Sequence, residues 1–283
     1  MTDDILFERR SRAGLMTLNR PQALNALNRE MCLALHRQLD AWAVDDDVSV
    51  VIIRGAGEKA FCAGGDVVGL YHSGKEGTSE WEGFFADEYR MNLAIGTFPK
   101  PYVALVDGFS MGGGVGVSVH APYRVVTEKT LFAMPETGIG LIPDVGGTHA
   151  LAQMPGEVGT YLGLTGARLK AADCMYAGYG THHCTSAQIE ALTDALAEGG
   201  DVAQTLNAFY SDAGPAPLEA VRAEIERHFA FDTVEAIMES LSLGSDWAVA
   251  QRDVLMKMSP TSMKISLRAL REARGDDLAG CLR

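Results

Sequence analysis

Two glycine-rich clusters decide the fold of this chain: FSMGGGVG at residues 109–116 and PETGIGLIPDVGG at residues 135–147. The first cluster follows an apolar run at residues 101–106, which has the composition of a buried strand. We expect the chain to turn through its glycines and to continue as a helix over residues 117–120. A turn from strand to helix leaves backbone N–H groups without partners, and the helix dipole points its positive end the same way. Because glycine has no side chain, an oxygen of a ligand can approach this backbone closely.

The second cluster carries two carboxylates, Glu136 and Asp144. Backbone donors for an oxyanion, with acids nearby, are typical of a site where a carbonyl group is polarised and a proton is moved. The stretch AFCAGGD at residues 60–66 repeats the arrangement, because it follows a β-branched apolar run and precedes another helix. Each turn alone is also consistent with a purely structural tight turn. Together they predict that the N–H groups of Ala63 and Gly113 point at the same atom.

Length and composition are those of a globular protein with a sizeable core: 283 residues, 47% of them hydrophobic and 22% charged. The formal net charge of −13 repels polyphosphate backbones, so we expect no nucleic-acid partner, although a small phosphorylated ligand stays possible. No apolar run approaches the length that spans a membrane. Five cysteines without a CxxC pair indicate a reducing compartment and neither a disulfide framework nor a zinc site. With no apolar leader in MTDDILFERR, we expect a cytoplasmic protein.

Helical and strand patterns divide the chain into two parts. Strands and helices alternate in the first part, which includes a helix capped by Asn28 and another over residues 80–98. A polar, glycine-rich stretch at residues 73–79 predicts a mobile loop. Helical patterns then follow one another at residues 156–164, 171–178, 186–198, 217–229, 233–242, 246–258 and 261–274. We therefore expect an α/β part, residues 1–185, followed by a mostly helical part, residues 186–283.

Five motifs in order along the chain carry a family resemblance: NRPQALNALN, KAFCAGGD, DGFSMGGGVGVSVH, FAMPETGIGLIPDVGG and LTGARLKAAD. They resemble the crotonase, or enoyl-CoA hydratase/isomerase, superfamily, and the likeness extends from about residue 19 to about residue 271. With FFADEYRMN at residues 84–92, the set is most similar to the 3-hydroxyisobutyryl-CoA hydrolase family. The resemblance implies an α/β fold in which a crotonase-like spiral of ββα units is followed by a mostly helical C-terminal region.

The same resemblance implies an acyl-CoA substrate and assigns roles to individual residues. The thioester oxygen would lie between the N–H groups of Ala63 and Gly113, which form an oxyanion hole. Glu136 and Asp144 would be the catalytic carboxylates, and Glu88 would bind the substrate together with Gly113 and these two acids. By its pattern alone Glu88 is a solvated helix residue, so its role comes from the family likeness. No cofactor and no metal are implied, because coenzyme A is part of the substrate.

The expected reaction is hydrolysis of an acyl-CoA thioester, namely 3-hydroxyisobutyryl-CoA in valine catabolism. Hydratases of the superfamily carry a glutamate at the position of Gly116, paired with the one that matches Glu136. Because Gly116 has no side chain, the apparatus that adds water to a double bond is incomplete. An enoyl-CoA hydratase or a dienoyl-CoA isomerase is the alternative, since such isomerases also carry an acid at the position of Asp144. A non-catalytic acyl-CoA-binding homologue is a further alternative.

Two questions about the reaction stay open at this point. Glu136 either attacks the thioester carbonyl to form a mixed anhydride or acts as a base on water, and the motif does not separate the two routes. Arg20 and Lys59 are candidates for binding the CoA phosphates, but a sequence does not show whether such residues cluster in space.

Three other features receive structural interpretations. Asp66 is expected to cap the helix that follows AFCAGG. His182 and His183 are adjacent on a strand and would point to opposite faces, which argues against a metal site. Cys62 has no histidine nearby in sequence, so we expect it to be a packing residue.

By the resemblance, chains of this family continue past the end of this one, with another helix after SPTSMKISLRAL. We therefore expect a shortened C-terminal region. Members of the superfamily often form trimers or pairs of trimers, so a homo-oligomer of this kind is also expected.

Overall fold

A computed structural model describes residues 2–283 of the chain. Its strands are β1 (Ile5–Arg10), β2 (Ala13–Leu18), β3 (Val50–Gly55), β4 (Ala60–Cys62), β5 (Tyr102–Val106), β6 (Phe109–Met111), β7 (Tyr123–Val126), β8 (Leu131–Ala133), β9 (Leu169–Lys170) and β10 (His182–His183). The helices before β10 are α1 (Arg29–Ala43), α2 (Val67–Glu76), α3 (Glu80–Gly96), α4 (Gly113–Gly116), α5 (Gly147–Ala152), α6 (Val158–Thr165) and α7 (Ala171–Ala177). Those after it are α8 (Ile189–Ala197), α9 (Val202–Ala208), α10 (Pro217–Phe229), α11 (Val234–Ser242), α12 (Asp246–Leu255), α13 (Pro260–Ala273) and α14 (Leu278–Cys281).

The strands form two sheets, and the chain passes from one to the other at each turn of a spiral. The first sheet has the order β1-β2-β3-β5-β7-β10, and only its β1–β2 pair is antiparallel. The second has the order β4-β6-β8-β9, with β4, β6 and β8 parallel. Each pair of consecutive strands therefore contributes one strand to each sheet, as seen for β3–β4, β5–β6 and β7–β8. This is the spiral of ββα units that the sequence predicts, so the expected fold class is confirmed.

The six-stranded sheet is covered on both faces, as its apolar strands require. Successive side chains of a strand point to opposite faces, and on β3 this sends Val51 and Ile53 into the larger core, which also holds the buried face of α1. Val50 and Ile52 belong to a second cluster, formed with buried leucines of α8 and α9. The continuous run of β-branched residues is thus explained by burial on both sides.

Two local predictions about helices need correction. The stretch at residues 73–79 is mostly helical, because α2 continues to Glu76 and ends where Gly77 adopts a left-handed conformation, φ +70°. The prediction of a helix over residues 117–120 is wrong, since the helical turn lies within the glycines themselves, in α4. In contrast, the Asn28 cap is confirmed, because its side chain accepts a hydrogen bond of 2.9 Å from the Met31 N–H.

The C-terminal region is helical, as expected, and packs onto the end of the spiral. An ion pair of 2.9 Å joins Arg271 on α13 to Glu157, which precedes α6. The short helix α14 lies against α3 and α5, and its Leu278 packs beside Gly96 and Gly146. Within residues 2–283, no helix combines the length and the apolar composition needed to cross a membrane. The boundary proposed at residue 185 stays a prediction.

Candidate active site

Two glycine turns meet at one edge of the four-stranded sheet. Strands β4 and β6 are parallel neighbours, so the turns that follow them emerge side by side. Gly64 has φ +119° and Gly112 has φ +48°, conformations that side chains oppose. A methyl group on Gly64 would lie 3.8 Å from the Gly113 nitrogen, and one on Gly113 would lie 3.2 Å from the Gly65 nitrogen. The two loops thus face each other at contact distance.

The donor from the first turn differs from the one that the sequence predicts. The Ala63 N–H donates a hydrogen bond of 3.0 Å to the carbonyl of Leu24, so it is already used inside the fold. The Gly65 N–H has no acceptor within residues 2–283, and neither has that of Gly113. The assignment of Ala63 to an oxyanion hole is therefore wrong, because a neighbouring segment satisfies that donor. Gly65 and Gly113 are the pair that remains available.

Three acidic side chains from separate elements converge beside these donors. Glu88 comes from the middle of α3, Glu136 opens a short 3-10 helix, and Asp144 lies in the loop before α5. A methyl group on Gly113 would lie 2.5 Å from Glu88 Oε1, and one on Gly112 would lie 3.0 Å from Glu136 Oε1. Both glutamates therefore contact the same glycine backbone, and a side chain at either glycine would have to displace a carboxylate.

Burial makes this carboxyl cluster electrostatically unusual. Glu88 is 2% exposed and Glu136 is 6% exposed, whereas Asp144 is half-buried. Burial, and then the charges of Asp144 and Glu136, raise the pKa of Glu88 well above its usual value. Burial raises the pKa of Glu136 to about 8 and that of Asp144 to about 6. At neutral pH the free protein therefore holds Asp144 mainly ionised and Glu136 mainly protonated.

Polar atoms of the cluster are left without partners, which is typical of a site that binds something. Glu88 Oε1 and Glu136 Oε2 are buried and have no hydrogen-bond partner among the described residues. Asp144 in contrast accepts a hydrogen bond from the Tyr89 hydroxyl. Because buried polar atoms are nearly always paired in folded proteins, the exceptions call for an explanation, and a carbonyl or hydroxyl group of a ligand supplies one.

Gly116, where hydratases carry a glutamate, is closed to any side chain. A methyl group there would lie 2.6 Å from Val145 Cβ and 2.8 Å from Asn92 Nδ2. Val145 has φ +51°, which is rare for a β-branched residue, and its carbonyl accepts a hydrogen bond of 2.7 Å from His120 Nε2. The space of a second glutamate is thus filled by neighbouring residues.

The two residues expected to bind phosphate behave differently. Arg20 donates to Asp66 Oδ2 at 2.9 Å and to the Ala26 carbonyl at 2.8 Å, so its guanidinium group is used within the fold. This argues against its predicted role. Lys59 is exposed, and no ion pair of its ammonium group is found within residues 2–283. Asp66 caps α2 as predicted, because its side chain accepts a hydrogen bond from the Gly69 N–H.

Cys62 and the two histidines of β10 lie outside the carboxyl cluster. Cys62 is buried in the core as predicted, and burial raises its pKa to about 12. His183 is buried and its Nδ1 contacts Ser211, whereas His182 is half-buried and contacts Thr181. Within residues 2–283 no group of three His, Cys, Asp or Glu side chains is arranged to hold a metal ion.

Sequence reasoning missed four residues that the structure brings to the site: Gly65, Tyr89, Asn92 and Val145. Their positions on α3 could have pointed to two of them. Tyr89 directly follows Glu88, and Asn92 lies four positions after Glu88 and so shares its face of the helix. Nothing local distinguishes Gly65 from Ala63, and the strained backbone of Val145 has no signature in its own residue type.

A sequence profile described as "Enoyl-CoA hydratase/isomerase" matches residues 13–283. Two solved structures superpose over 99% of this chain. One is a carnitinyl-CoA dehydratase from Mycobacterium thermoresistibile, with TM-score 0.95, 41% identity and 83% of that chain covered. The other is an enoyl-CoA hydratase from Rhodobacter sphaeroides, with TM-score 0.92, 38% identity and 82% covered. The chain therefore belongs to the enoyl-CoA hydratase/isomerase family, and the resemblance drawn from its motifs is confirmed.

Eight curated relatives that it matches at 42–47% identity carry the same name. The chain is 47% identical over 280 residues to the zebrafish (Danio rerio) mitochondrial 3-hydroxyisobutyryl-CoA hydrolase, covering 95% of this chain and 73% of the relative. It is 42% identical over 287 residues to the human protein of the same name, covering 98% and 74%.

Proposed function

We propose that this protein hydrolyses 3-hydroxyisobutyryl-CoA to 3-hydroxyisobutyrate and free coenzyme A. The observation that carries the proposal is the identity of 42–47% to curated hydrolases of this substrate over most of the chain. The site supports it, because paired backbone donors beside buried acids suit a reaction that passes through a tetrahedral oxyanion.

In the proposed reaction the thioester oxygen accepts hydrogen bonds from the N–H groups of Gly65 and Gly113. These donors are held by rigid turns, so they stabilise the negative charge that develops on the oxygen without reorganising. The bond from the carbonyl carbon to sulfur then breaks, and the thiolate of coenzyme A leaves and takes up a proton. Overall, one molecule of water is consumed for each thioester that is hydrolysed.

Glu136 is proposed as the central catalytic carboxylate, by one of two routes. As a nucleophile it attacks the carbonyl carbon and forms a mixed anhydride, which water then hydrolyses. As a general base it removes a proton from water, which attacks directly. Both routes need its ionised form. Label in the Glu136 carboxylate after a single turnover in ¹⁸O-labelled water would establish the first route, because water oxygen enters there only when an anhydride is cleaved at its Glu136 carbon.

Asp144 and Glu88 are proposed to bind and orient the acyl group and to assist proton transfer. Asp144 is the acid that is ionised first as the pH rises. Glu88 is the most deeply buried of the three, and burial raises its pKa, which favours the protonated form that donates a hydrogen bond.

A hydratase is the second candidate, because the two solved structures with TM-scores of 0.95 and 0.92 are a dehydratase and a hydratase. The closed space at Gly116 weighs against it. An assay with 3-hydroxyisobutyryl-CoA and methacrylyl-CoA separates the two functions. Release of free thiol from the hydroxyacyl thioester supports the hydrolase, whereas loss of the conjugated double bond without thiol release supports the hydratase. If the protein binds acyl-CoA measurably but catalyses neither reaction, the non-catalytic homologue is favoured.

Phosphate binding, assembly and cellular location are also matters of proposal. We propose that Lys59 contributes to binding the CoA phosphates and that the chain forms a trimer or a pair of trimers. A cytoplasmic location stays a prediction, and the names of the curated relatives place those proteins in mitochondria. Analytical ultracentrifugation tests the assembly, since a sedimenting mass of a single chain would contradict it.

A further inference from the structure

Asn92 is buried without a hydrogen-bond partner beside the carboxyl cluster. Its side chain has 0% exposed surface, and neither Oδ1 nor Nδ2 has a partner within residues 2–283. A buried amide without partners destabilises a fold, and an apolar residue of the same size would pack better. Packing therefore does not explain why an asparagine occupies this position, and a function in binding does.

Helix α3 presents Asn92 and Glu88 together to the glycine face of α4. The two residues are one helical turn apart, so they share a face of α3. A methyl group on Gly113 would lie 2.5 Å from Glu88 Oε1, and one on Gly116 would lie 2.8 Å from Asn92 Nδ2. The direction from Glu88 to Asn92 thus runs along α4, away from the proposed oxyanion donor at Gly113.

The spacing along α4 matches the spacing of groups in a 3-hydroxyacyl chain. Gly116 is three residues beyond Gly113, which is about 4.5 Å along a helix that rises about 1.5 Å per residue. A hydroxyl oxygen on the third carbon is three bonds from the thioester carbonyl carbon. Three bonds in an extended arrangement span about 3.8 Å, as between Cα atoms across a trans peptide. With the carbonyl oxygen at Gly113, the 3-hydroxyl group therefore lies level with Gly116, beside which the Asn92 amide is buried.

We infer that the Asn92 carboxamide binds the 3-hydroxyl group of the acyl chain and makes the enzyme prefer 3-hydroxyacyl thioesters over plain acyl thioesters. This inference rests on the proposed hydrolase function. An amide suits the task because it offers a donor and an acceptor, as a hydroxyl group also does. An acyl chain without the hydroxyl leaves both amide atoms unpaired, and sites built around a hydrogen bond reject such analogues.

Val145 controls access to the amide. Because Asn92 has no exposed surface, the hydroxyl group reaches it only when the Val145 side chain moves away from Gly116. The φ of +51° at Val145 is a conformation that β-branched residues rarely adopt.

The test compares two substrates that differ only in the hydroxyl group. Release of thiol is measured with 3-hydroxyisobutyryl-CoA and with isobutyryl-CoA for the wild type and for Asn92→Leu, which keeps the size and removes the polar atoms. We expect kcat/KM for the hydroxyacyl substrate to fall by about 10- to 100-fold and that for isobutyryl-CoA to change by less than about threefold. The melting temperature of the variant should be unchanged or raised. An equal fall on both substrates, or no fall at all, overturns the inference.

A binding measurement keeps this test separate from the test of the hydrolase function. In ketone analogues of the two thioesters, a methylene group replaces the sulfur, so they bind but cannot be hydrolysed. Calorimetry should show that Asn92→Leu weakens binding of the hydroxy analogue only, and equal effects on both analogues overturn the inference whether or not turnover occurs. Absence of thiol release by the wild type contradicts the proposed function instead.

Ser266→Ala is the matched control. Ser266 on α13 is also fully buried with an unpartnered oxygen, and it belongs to the C-terminal helices. Its removal should leave the substrate preference unchanged. If Ser266→Ala changed the preference as much as Asn92→Leu does, the effect would come from altered side-chain packing in the core and not from recognition of the hydroxyl group.

Discussion

The Tyr89 hydroxyl donates a hydrogen bond of 2.9 Å to Asp144 Oδ2. Burial raises the pKa of Asp144, and this hydrogen bond lowers it in part. Without it, the pKa of Asp144 should lie above its present value of about 6. We predict that Tyr89→Phe shifts the acid side of the pH profile of kcat/KM upward by about one unit. The profile of the variant measured between pH 5 and pH 8 checks this. An unchanged acid limb would show that Asp144 ionisation does not limit the reaction.

The pH profile of the wild type should rise over an unusually wide range. Asp144 ionises near pH 6, and Glu136 ionises near pH 8 because burial disfavours its charged form. If Glu136 is the nucleophile or base, kcat/KM increases through both values and levels off above pH 8. Initial rates of thiol release across pH 5 to 9.5 test this. A profile that declines above pH 8 would instead identify protonated Glu136 as a general acid.

Glu136→Gln should remove activity and increase stability at alkaline pH. We expect a loss in kcat of about 10²- to 10⁴-fold, since a carboxylate that moves a proton or attacks is replaced by an amide. The folded protein keeps the Glu136 proton up to pH about 8, whereas the unfolded chain releases it near the usual glutamate pKa of 4.5. Folding therefore becomes less favourable as the pH rises from about 4.5 to about 8, and the glutamine variant avoids this loss.

Thermal melting at several pH values measures that effect. The melting temperature of Glu136→Gln minus that of the wild type should grow between pH 4.5 and pH 8 and stay constant above pH 8. Glu58→Gln is the control, because Glu58 is exposed and its replacement should produce no such trend. A difference that does not depend on pH would contradict the burial argument.

Replacements at Gly65 test the corrected oxyanion donor. Gly65→Pro removes the N–H, and loss of one donor of this kind typically costs about 10²- to 10³-fold in kcat. Gly65→Ala keeps the N–H and adds a methyl group that lies 3.0 Å from the Phe84 ring edge, so we expect a loss of less than about tenfold. Thiol-release assays compare the two. Equal losses would mean that the N–H itself does not contribute.

Restoring a side chain at Gly116 should destabilise the protein instead of creating a hydratase. Gly116→Ala brings a methyl group within 2.6 Å of Val145 Cβ and should lower the free energy of unfolding by about 1–3 kcal/mol. Adding Val145→Ala should recover part of this loss, because it frees the space above Gly116. Urea denaturation of the single and double variants measures the coupling, and purely additive effects would contradict it.

Gly74→Ala is the matched control for Gly116→Ala. Gly74 lies in α2 and has no atom within 4 Å of an added methyl group. Alanine there should raise the free energy of unfolding by about 0.5–1 kcal/mol, since it lowers the backbone entropy of the unfolded chain.

The positions of the acids illustrate how far sequence reasoning extends. Glu136 and Asp144 follow from a short motif whose turns are set by local glycine and proline geometry. Glu88 does not, since its own pattern is that of a surface residue, and only packing of α3 against α4 buries it. Its assignment came from the family likeness, and the geometry now gives it a physical basis.

Arg20 and Ala63 show where sequence reasoning fails. Their residue types and positions suit a role in the sequence, Arg20 as a cation for phosphate and Ala63 as a backbone donor for an oxyanion. In the structure each is satisfied by a segment distant in sequence, Arg20 by Asp66 and Ala63 by the carbonyl of Leu24. Whether a donor is free depends on such contacts, and no local pattern reveals them.

The sequence by itself determined the alternation of strands, glycine turns and helices, and with it the spiral and the helical C-terminal region. These follow from local preferences: apolar periodicity, caps such as Asn28 and Asp66, and glycines where the backbone must adopt positive φ. Only the tertiary structure decided that Gly65 supplies the free N–H, that Val145 and Asn92 fill the space above Gly116, and that three acids share one buried site. The reason is that burial and pairing depend on contacts between residues far apart in the chain, which a sequence pattern does not contain.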